Sequence, residues 1–274
     1  MAIVRDEGLV LRSMRYRETS RLLVVLTPKY GKVHLLAKGA REYKRGFGGA
    51  LEPLTRSQLV FYYKRSRELH LVHSASAEYA YLGLLRRPAC FHLACAALEF
   101  VLRVVPDEDP SPEIYAALAA FLESGDAGGS PAQVLWELRV FQFGTIALLG
   151  YAPGLDRCVG CGRPVPGGRT FGVAEGGILC SRCRPEGETL PLSAASLDLL
   201  RRLAGHAEPG SSAGAGACPS PGAHPASAGR QVAAVVESFL QYHRPGYHGL
   251  RSLKSLADWQ SLRRGAGADR GAPA

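Results

Sequence analysis

Apolar positions change their period along the chain. Short runs rich in Val, Leu and aromatic residues occur at 8–11, 21–26, 32–37, 58–63 and 69–73, separated by turn signals such as Thr27-Pro28 and Tyr30-Gly31. Each run is strand-sized, and together they predict five short β-strands. From about residue 78 the spacing lengthens, and residues 91–102 keep apolar side chains three and four apart until Pro106, which predicts a helix. Ser111 followed by Pro112 supplies a cap and a first helical residue for a second helix over 114–122. The loop at 125–130 gives way to Pro131, which opens a third helix to residue 149, and further helices are predicted at 197–203 and 232–240. Cys90, Cys95 and His92 fall on an apolar helix face and are expected to be packed there.

Five short strands bounded by Gly and Pro suggest a small barrel, of which the OB-fold combines this strand count with nucleic-acid binding; an SH3-like barrel is the alternative. The predicted class is α+β and multi-domain. An OB-fold over 1–80 precedes an α-helical domain over 81–155 and 190–260, interrupted by a cysteine ribbon at 156–189. Residues 205–230 are nearly all Gly, Pro, Ala and Ser, cannot build a core and are expected to be a disordered insertion, as is the tail at 265–274.

The cysteines sharpen the middle of this picture. Cys158-Val159-Gly160-Cys161 is answered by Cys180-Ser181-Arg182-Cys183 after 18 intervening residues rich in Gly and Pro. Each pair offers two thiolates from one turn, and the spacing is that of a four-cysteine zinc ribbon. Four sulfurs leave Zn²⁺ no open position, so a structural rather than catalytic ion is expected. A redox pair would call for a single Cys-x-x-Cys opening a helix, which is not the context here. Cys218 is left as an incidental thiol.

Charge changes the reading of the N-terminal third. Of a net +9, residues 1–87 carry 17 Lys and Arg against 7 Asp and Glu, and the remainder carry 16 against 17. Such segregation predicts a polyanionic partner for the barrel, nucleic acid first and an anionic membrane surface second. The loop after the third strand holds Lys38, Arg41, Lys44 and Arg45 with Tyr43 and Phe47, a set suited to phosphates and stacked bases. Phe47 has the competing role of pinning the loop to the barrel. Lys64, Arg65 and Arg67 form a second basic run, and Arg12, Arg15, Arg17 and Arg21 a third.

Motifs for catalysis are lacking. His206-x-Glu208 lies downstream of both cysteine pairs, and neither pair follows a proline, unlike the zinc deaminases. No His-Glu-x-x-His, phosphate-binding Gly-Lys-Ser/Thr loop, dinucleotide fingerprint or Gly-x-Ser-x-Gly elbow occurs. Asp107-Glu108-Asp109 reads as a solvated helix junction rather than a metal site. A binding protein without an active site is therefore expected. Charges in the first residues argue against a signal peptide, and the odd cysteine count with a metal motif argues for a reducing, cytoplasmic setting, with nucleoid association expected of a DNA binder.

Several stretches resemble the RecO family of bacterial DNA-repair and recombination mediator proteins. They are Gly8-Leu9-Val10-Leu11, Glu18 to Leu23, Gly31-Lys32-Val33 leading into Ala37-Lys38-Gly39-Ala40-Arg41, Leu51-Glu52-Pro53-Leu54, Leu148-Leu149-Gly150-Tyr151-Ala152-Pro153 and Cys158-x-x-Cys161-Gly162. The similarity spans residues 5–203; the 205–230 stretch and the tail depart from it. The resemblance implies an OB-fold, a helical domain and an inserted zinc ribbon. It further implies binding of single- and double-stranded DNA, annealing of complementary strands and, together with RecR, help in loading RecA onto strands coated by single-strand-binding protein. By the same resemblance Lys38 and Arg41 belong to the DNA-binding loop, while Arg139 and Phe141 fall where the acidic tail of single-strand-binding protein is taken up. Family members without the cysteines imply that the metal serves structure. From the residues alone, an RNA-binding or RNA-modifying zinc-ribbon protein is the alternative.

Overall fold

The computed structural model describes residues 2–41, 47–165, 170–206 and 226–257. They divide into two compact units, one of residues 1–131 with the segment from Leu250 onward, the other of residues 132–249. Tyr43, Lys44, Arg45, Cys218 and the expected disordered tail lie outside the described residues.

The first unit is built on strands β1 (Ala2–Tyr16), β2 (Ser20–Thr27), β3 (Gly31–Ala37), β4 (Thr55–Tyr63) and β5 (Leu69–Ala80). They close into a barrel in the order β1-β2-β3-β5-β4, with β3 and β5 parallel and the other pairs antiparallel. That topology is the expected OB-fold. Two strands are longer than their apolar runs. β1 begins at Ala2 because Arg5-Asp6-Glu7 continues the extended pairing against β4, a polar stretch with no apolar alternation to betray it although Asp6 is buried. β1 serves both neighbours, pairing β4 up to Leu9 and β2 from Leu9 on, with an irregularity between Val10 and Arg12. Gly8 sits at that crossing; a Cβ there would lie 2.4 Å from Val25 Cγ1, so the coil of the strand requires glycine.

Val10, Leu23, Val25, Leu35, Leu59 and Phe61 fill the barrel, joined by Phe47 and Leu51 from the connection between β3 and β4, where Gly48–Leu51 forms a 3₁₀ turn. α1 (Leu82–Leu85), α2 (Pro88–Val104) and α3 (Pro112–Asp126) follow within the same unit. α2 buries Cys90, Leu93, Ala94, Ala97, Leu98, Val101 and Val104, the expected three-and-four stripe. The Ser111 hydroxyl accepts from the Ile114 N–H at 3.4 Å, so α3 is capped where its sequence says.

The acidic triplet lies between α2 and α3, exposed at Asp107 and Asp109, and is also tied to the barrel. Asp107 bridges to Lys32 on β3, and the Glu108 N–H donates to the Lys32 carbonyl at 2.9 Å. Asp107 pairs with Lys32 Nζ at 3.2 Å and His34 Nε2 at 3.3 Å, and Glu108 meets the buried His70 ring at 3.0 Å and the Tyr63 hydroxyl at 3.3 Å. β3 pairs with β5 over three residues only, and the triplet supplies polar partners along that thin seam. The segment from Leu250 is anchored to α2: Glu99 accepts from the backbone of Arg251 and Ser252, from the Ser252 hydroxyl and from Arg103.

The second unit holds α4 (Pro131–Leu148), a three-stranded sheet of β6 (Thr170–Gly172), β7 (Gly177–Leu179) and β8 (Thr189–Pro191) in the order β7-β6-β8, then α5 (Ala194–His206) and α6 (Ala226–His243). Residues 226–230, expected inside the disordered insertion, instead open α6; Ala-rich sequence has high helix propensity and is continuous with the apolar stripe of Val232, Val235, Val236 and Phe239. No helix among the described residues is long and apolar enough to cross a membrane.

Candidate nucleic-acid interface and metal centre

Register gathers some of the expected cations and separates others. Tyr16 pairs with Ser20, Arg15 with Arg21, and Arg21 with Ala37, so the β1–β2 turn and the residues after β3 share one end of the barrel. Arg15, Arg17 and Lys38 are exposed there, and among the described residues none of them has an ion pair. Lys64, Arg65 and Arg67 are exposed on the β4–β5 turn. That turn follows Tyr63, which pairs with Ala2, so it lies at the opposite end of β1 from Tyr16. The two basic groups do not form one patch.

Three residues expected to touch DNA have other work. The Arg21 guanidinium pairs with Glu52 at 2.7 Å and donates to the Ser13 hydroxyl at 3.0 Å, which neutralises it. Arg41 donates from its backbone N–H to the Thr19 carbonyl at 3.0 Å and from Nη1 to the Glu18 carbonyl at 2.8 Å. It clamps the β1–β2 turn while its side chain stays exposed. Phe47 is only 6% exposed within the barrel core, so its ring pins the loop and does not stack on bases. Burying a Phe contributes about 1.5–3 kcal/mol relative to leaving it exposed.

In the second unit, Arg139 and Phe141 are two residues apart on α4, a spacing that puts side chains on different sides of a helix. Phe141 is buried, and the half-buried Arg139 donates to Gln142 Oε1 at 2.7 Å. Burial pushes the guanidinium down from its usual pKa, against the opposing pull of Tyr247 and Glu237. The pair does not form a common exposed surface.

All four expected ligands do come together. The sulfurs of Cys158, Cys161, Cys180 and Cys183 lie within 4.8 Å of one another, with Cys161 and Cys180 Sγ 3.7 Å apart. A tetrahedral ion with metal–sulfur bonds of about 2.3 Å needs sulfurs about 3.8 Å apart, so the donor set fits a metal. Two tight turns make it. The Cys161 and Gly162 N–H groups donate to the Cys158 carbonyl, Gly162 turning back at φ 72°, and the Cys183 N–H donates to the Cys180 carbonyl. The Cys180 N–H points at Cys158 Sγ at 3.3 Å and, with neighbouring N–H groups, holds that thiol down to about 6. Backbone N–H groups of Arg182 and Cys183 likewise lower Cys180, whereas hydrogen bonds to the other three sulfurs push Cys183 up to about 12. Four sulfurs this close cannot all be thiolates without a cation to bind them.

Arg201 was not legible as part of this centre. From α5 it donates to the Leu155 carbonyl at 2.9 and 3.1 Å and to that of Val165 at 3.4 Å, and pairs with Asp156 at 3.2 Å, fastening the loop that carries Cys158. Its partners lie about 40 residues upstream, beyond any local sequence signal.

A closed OB barrel with a helical region and a four-cysteine ribbon defines the class of protein. The family models for the N-terminal and C-terminal parts of Recombination protein O match residues 1–81 and 91–213. The chain is 37% identical over 245 residues to the DNA repair protein RecO of Anaeromyxobacter sp. (strain K), covering 88% of this chain and 91% of that protein. Over 260 residues it is 32% identical to the DNA repair protein RecO of Streptomyces griseus subsp. griseus, covering 93% and 98%. The RecO protein of Rubrobacter xylanophilus is 36% identical over 211 residues, 74% of this chain and 82% of its own. The chain belongs to the RecO family of DNA repair and recombination proteins.

Proposed function

We propose that this chain is a DNA-binding recombination mediator that binds single- and double-stranded DNA, anneals complementary strands, and with RecR helps load RecA onto strands coated by single-strand-binding protein. The observation that carries this reading is the cluster of Arg15, Arg17 and Lys38 at one end of an OB barrel, exposed and without ion pairs among the described residues. Lys64, Arg65 and Arg67 at the other end offer a second phosphate-binding site. Two separate cation groups suit a protein that holds two strands at once. Neutralising both removes their mutual repulsion and releases counterions, so pairing proceeds without an energy source or an active site. The ribbon takes Zn²⁺ in a structural role, its four thiolates leaving no coordination position open.

The test is annealing of complementary DNA strands by the full chain, with and without single-strand-binding protein, beside the affinity for matched RNA. Wild type is expected to accelerate annealing. Replacing Arg17 and Lys38 with Ala should slow it and flatten the salt dependence of single-strand binding by about 0.7 per lost charge in the log–log slope. An unchanged slope would remove these residues from the interface, and tighter binding of RNA than DNA would overturn the substrate.

A further inference from the structure

Among the cations at the barrel end lies a cavity of about 620 Å³, lined by the turn from Tyr16 to Ser20 and by Leu36, Lys38 and Gly39. That volume falls within the roughly 300–1,000 Å³ of small-ligand sites. Its chemistry is uneven: one aromatic ring, two cations against the single carboxylate of Glu18, and the hydroxyls of Thr19 and Ser20, with Leu36 as the apolar wall. The Arg17 guanidinium sits 5.3 Å from the Tyr16 ring centroid, and Arg17 has φ 52°, a left-handed conformation uncommon outside glycine. The turn that imposes it is fixed by Arg41, whose two hydrogen bonds to the Thr19 and Glu18 carbonyls tie one wall to the other. Gly39 at φ 66° lets the chain leave β3 sharply enough to leave Lys38 exposed at the rim.

We infer that this cavity receives one unpaired nucleotide of a single DNA strand, its base against Tyr16 and its phosphate against Lys38 and Arg17. The inference rests on the DNA-binding reading above and adds how the chain tells a single strand from a duplex. A ring and two cations, outweighing the one carboxylate of Glu18, across a nucleotide-sized space match a ligand that is flat at one end and anionic at the other. A base held in a duplex is stacked and paired and cannot enter. Arg41 is then a positioning residue that keeps the walls apart by the right amount, and the remaining phosphates along the strand bind without regard to base or pairing.

The experiment compares three probes of equal length at one fixed salt concentration: single-stranded DNA, single-stranded DNA with abasic residues, and blunt duplex. Tyr16→Leu should lower affinity for the intact single strand about tenfold and bring it to the level of the abasic strand, so that the single-strand to duplex ratio falls by the same factor. Tyr16→Phe should restore it. If Tyr16→Leu weakens intact and abasic strands equally, the pocket reads phosphate alone and the inference is overturned. In wild type, photo-crosslinking of 5-iododeoxyuridine in a single strand should label the peptide containing Tyr16, and labelling elsewhere only would also overturn it. Lys38→Ala separates the two readings. If it weakens every probe while Tyr16→Leu discriminates none, the barrel end binds DNA but the nucleotide pocket is wrong. If it weakens none, the interface itself is wrong.

Discussion

The two units solve opposite problems with charged and nucleophilic groups. The barrel leaves Arg15, Arg17 and Lys38 pointing into solvent without ion pairs among the described residues, although Glu52 lies close enough to neutralise Arg21. The ribbon unit turns its chemistry inward: four sulfurs face one another, and Arg201 spends its hydrogen bonds on the loop that carries them. Charges kept apart cost stability through mutual repulsion and are retained where a partner will discharge them. Ligands collected around one point contribute to folding once a cation binds. The barrel is organised to meet something, the ribbon to hold itself.

The sharpest way to break that contrast is to remove the metal. Chelation, or Cys158→Ser with Cys161→Ser, should unfold the second unit, because apparent metal-binding energies in such sites reach about 10 kcal/mol. DNA affinity should stay within about threefold of wild type. Thermal melting beside a DNA titration checks both, and loss of DNA binding with melting unchanged would give the ribbon a direct part in recognition.

Phe47→Ala should destabilise the barrel unit by about 3 kcal/mol, the usual cost of truncating a buried aromatic, read from urea melts. If stability held while single-strand affinity dropped, Phe47 would return to the interface.

The smallest effect concerns pH. Burial alone would raise the Glu99 carboxyl, but N–H groups of Ser252 and Arg251, the Ser252 hydroxyl and Arg103 outweigh it and hold the pKa below the usual 4.5. A carboxylate with a depressed folded-state pKa stabilises the fold above its unfolded value and loses that contribution as pH falls through the folded value. Hydrogen-exchange protection over residues 250–257, taken relative to the intrinsic rate at each pH, should therefore fall below about pH 4.5 and be insensitive between pH 6 and 8, while Glu99→Gln should weaken the pH step. A segment equally protected at pH 3.5 and 7 would show that Glu99 is not its anchor.

Much of the architecture is readable because it is written in local spacing. Runs at 21–26 and 32–37 became β2 and β3 within a residue or so, Ser111-Pro112 became the start of α3, and the two Cys-x-x-Cys turns became a cluster of four sulfurs. The first residues of β1 carry no apolar alternation to announce them, and the ties of the acidic triplet to the barrel have no local signal because its partners Lys32, His34 and His70 lie 38 to about 75 residues away. Residues 226–230 were misjudged by composition, which reports what can build a core and not what can extend a helix already begun.

Periodicity, caps and cysteine spacing thus settle strands, helices, the ribbon and the basic character of the first third, since each depends on neighbours a few residues apart. Which cations stay available does not follow from such spacing. Glu52 reaches Arg21 across 31 positions, Arg41 reaches the carbonyl of Glu18 across 23, and Phe47 turns into the core instead of outward. Ion pairing and burial depend on separations of a few ångströms in space, and strand register together with the path of the β3–β4 connection decides which side chains come that close.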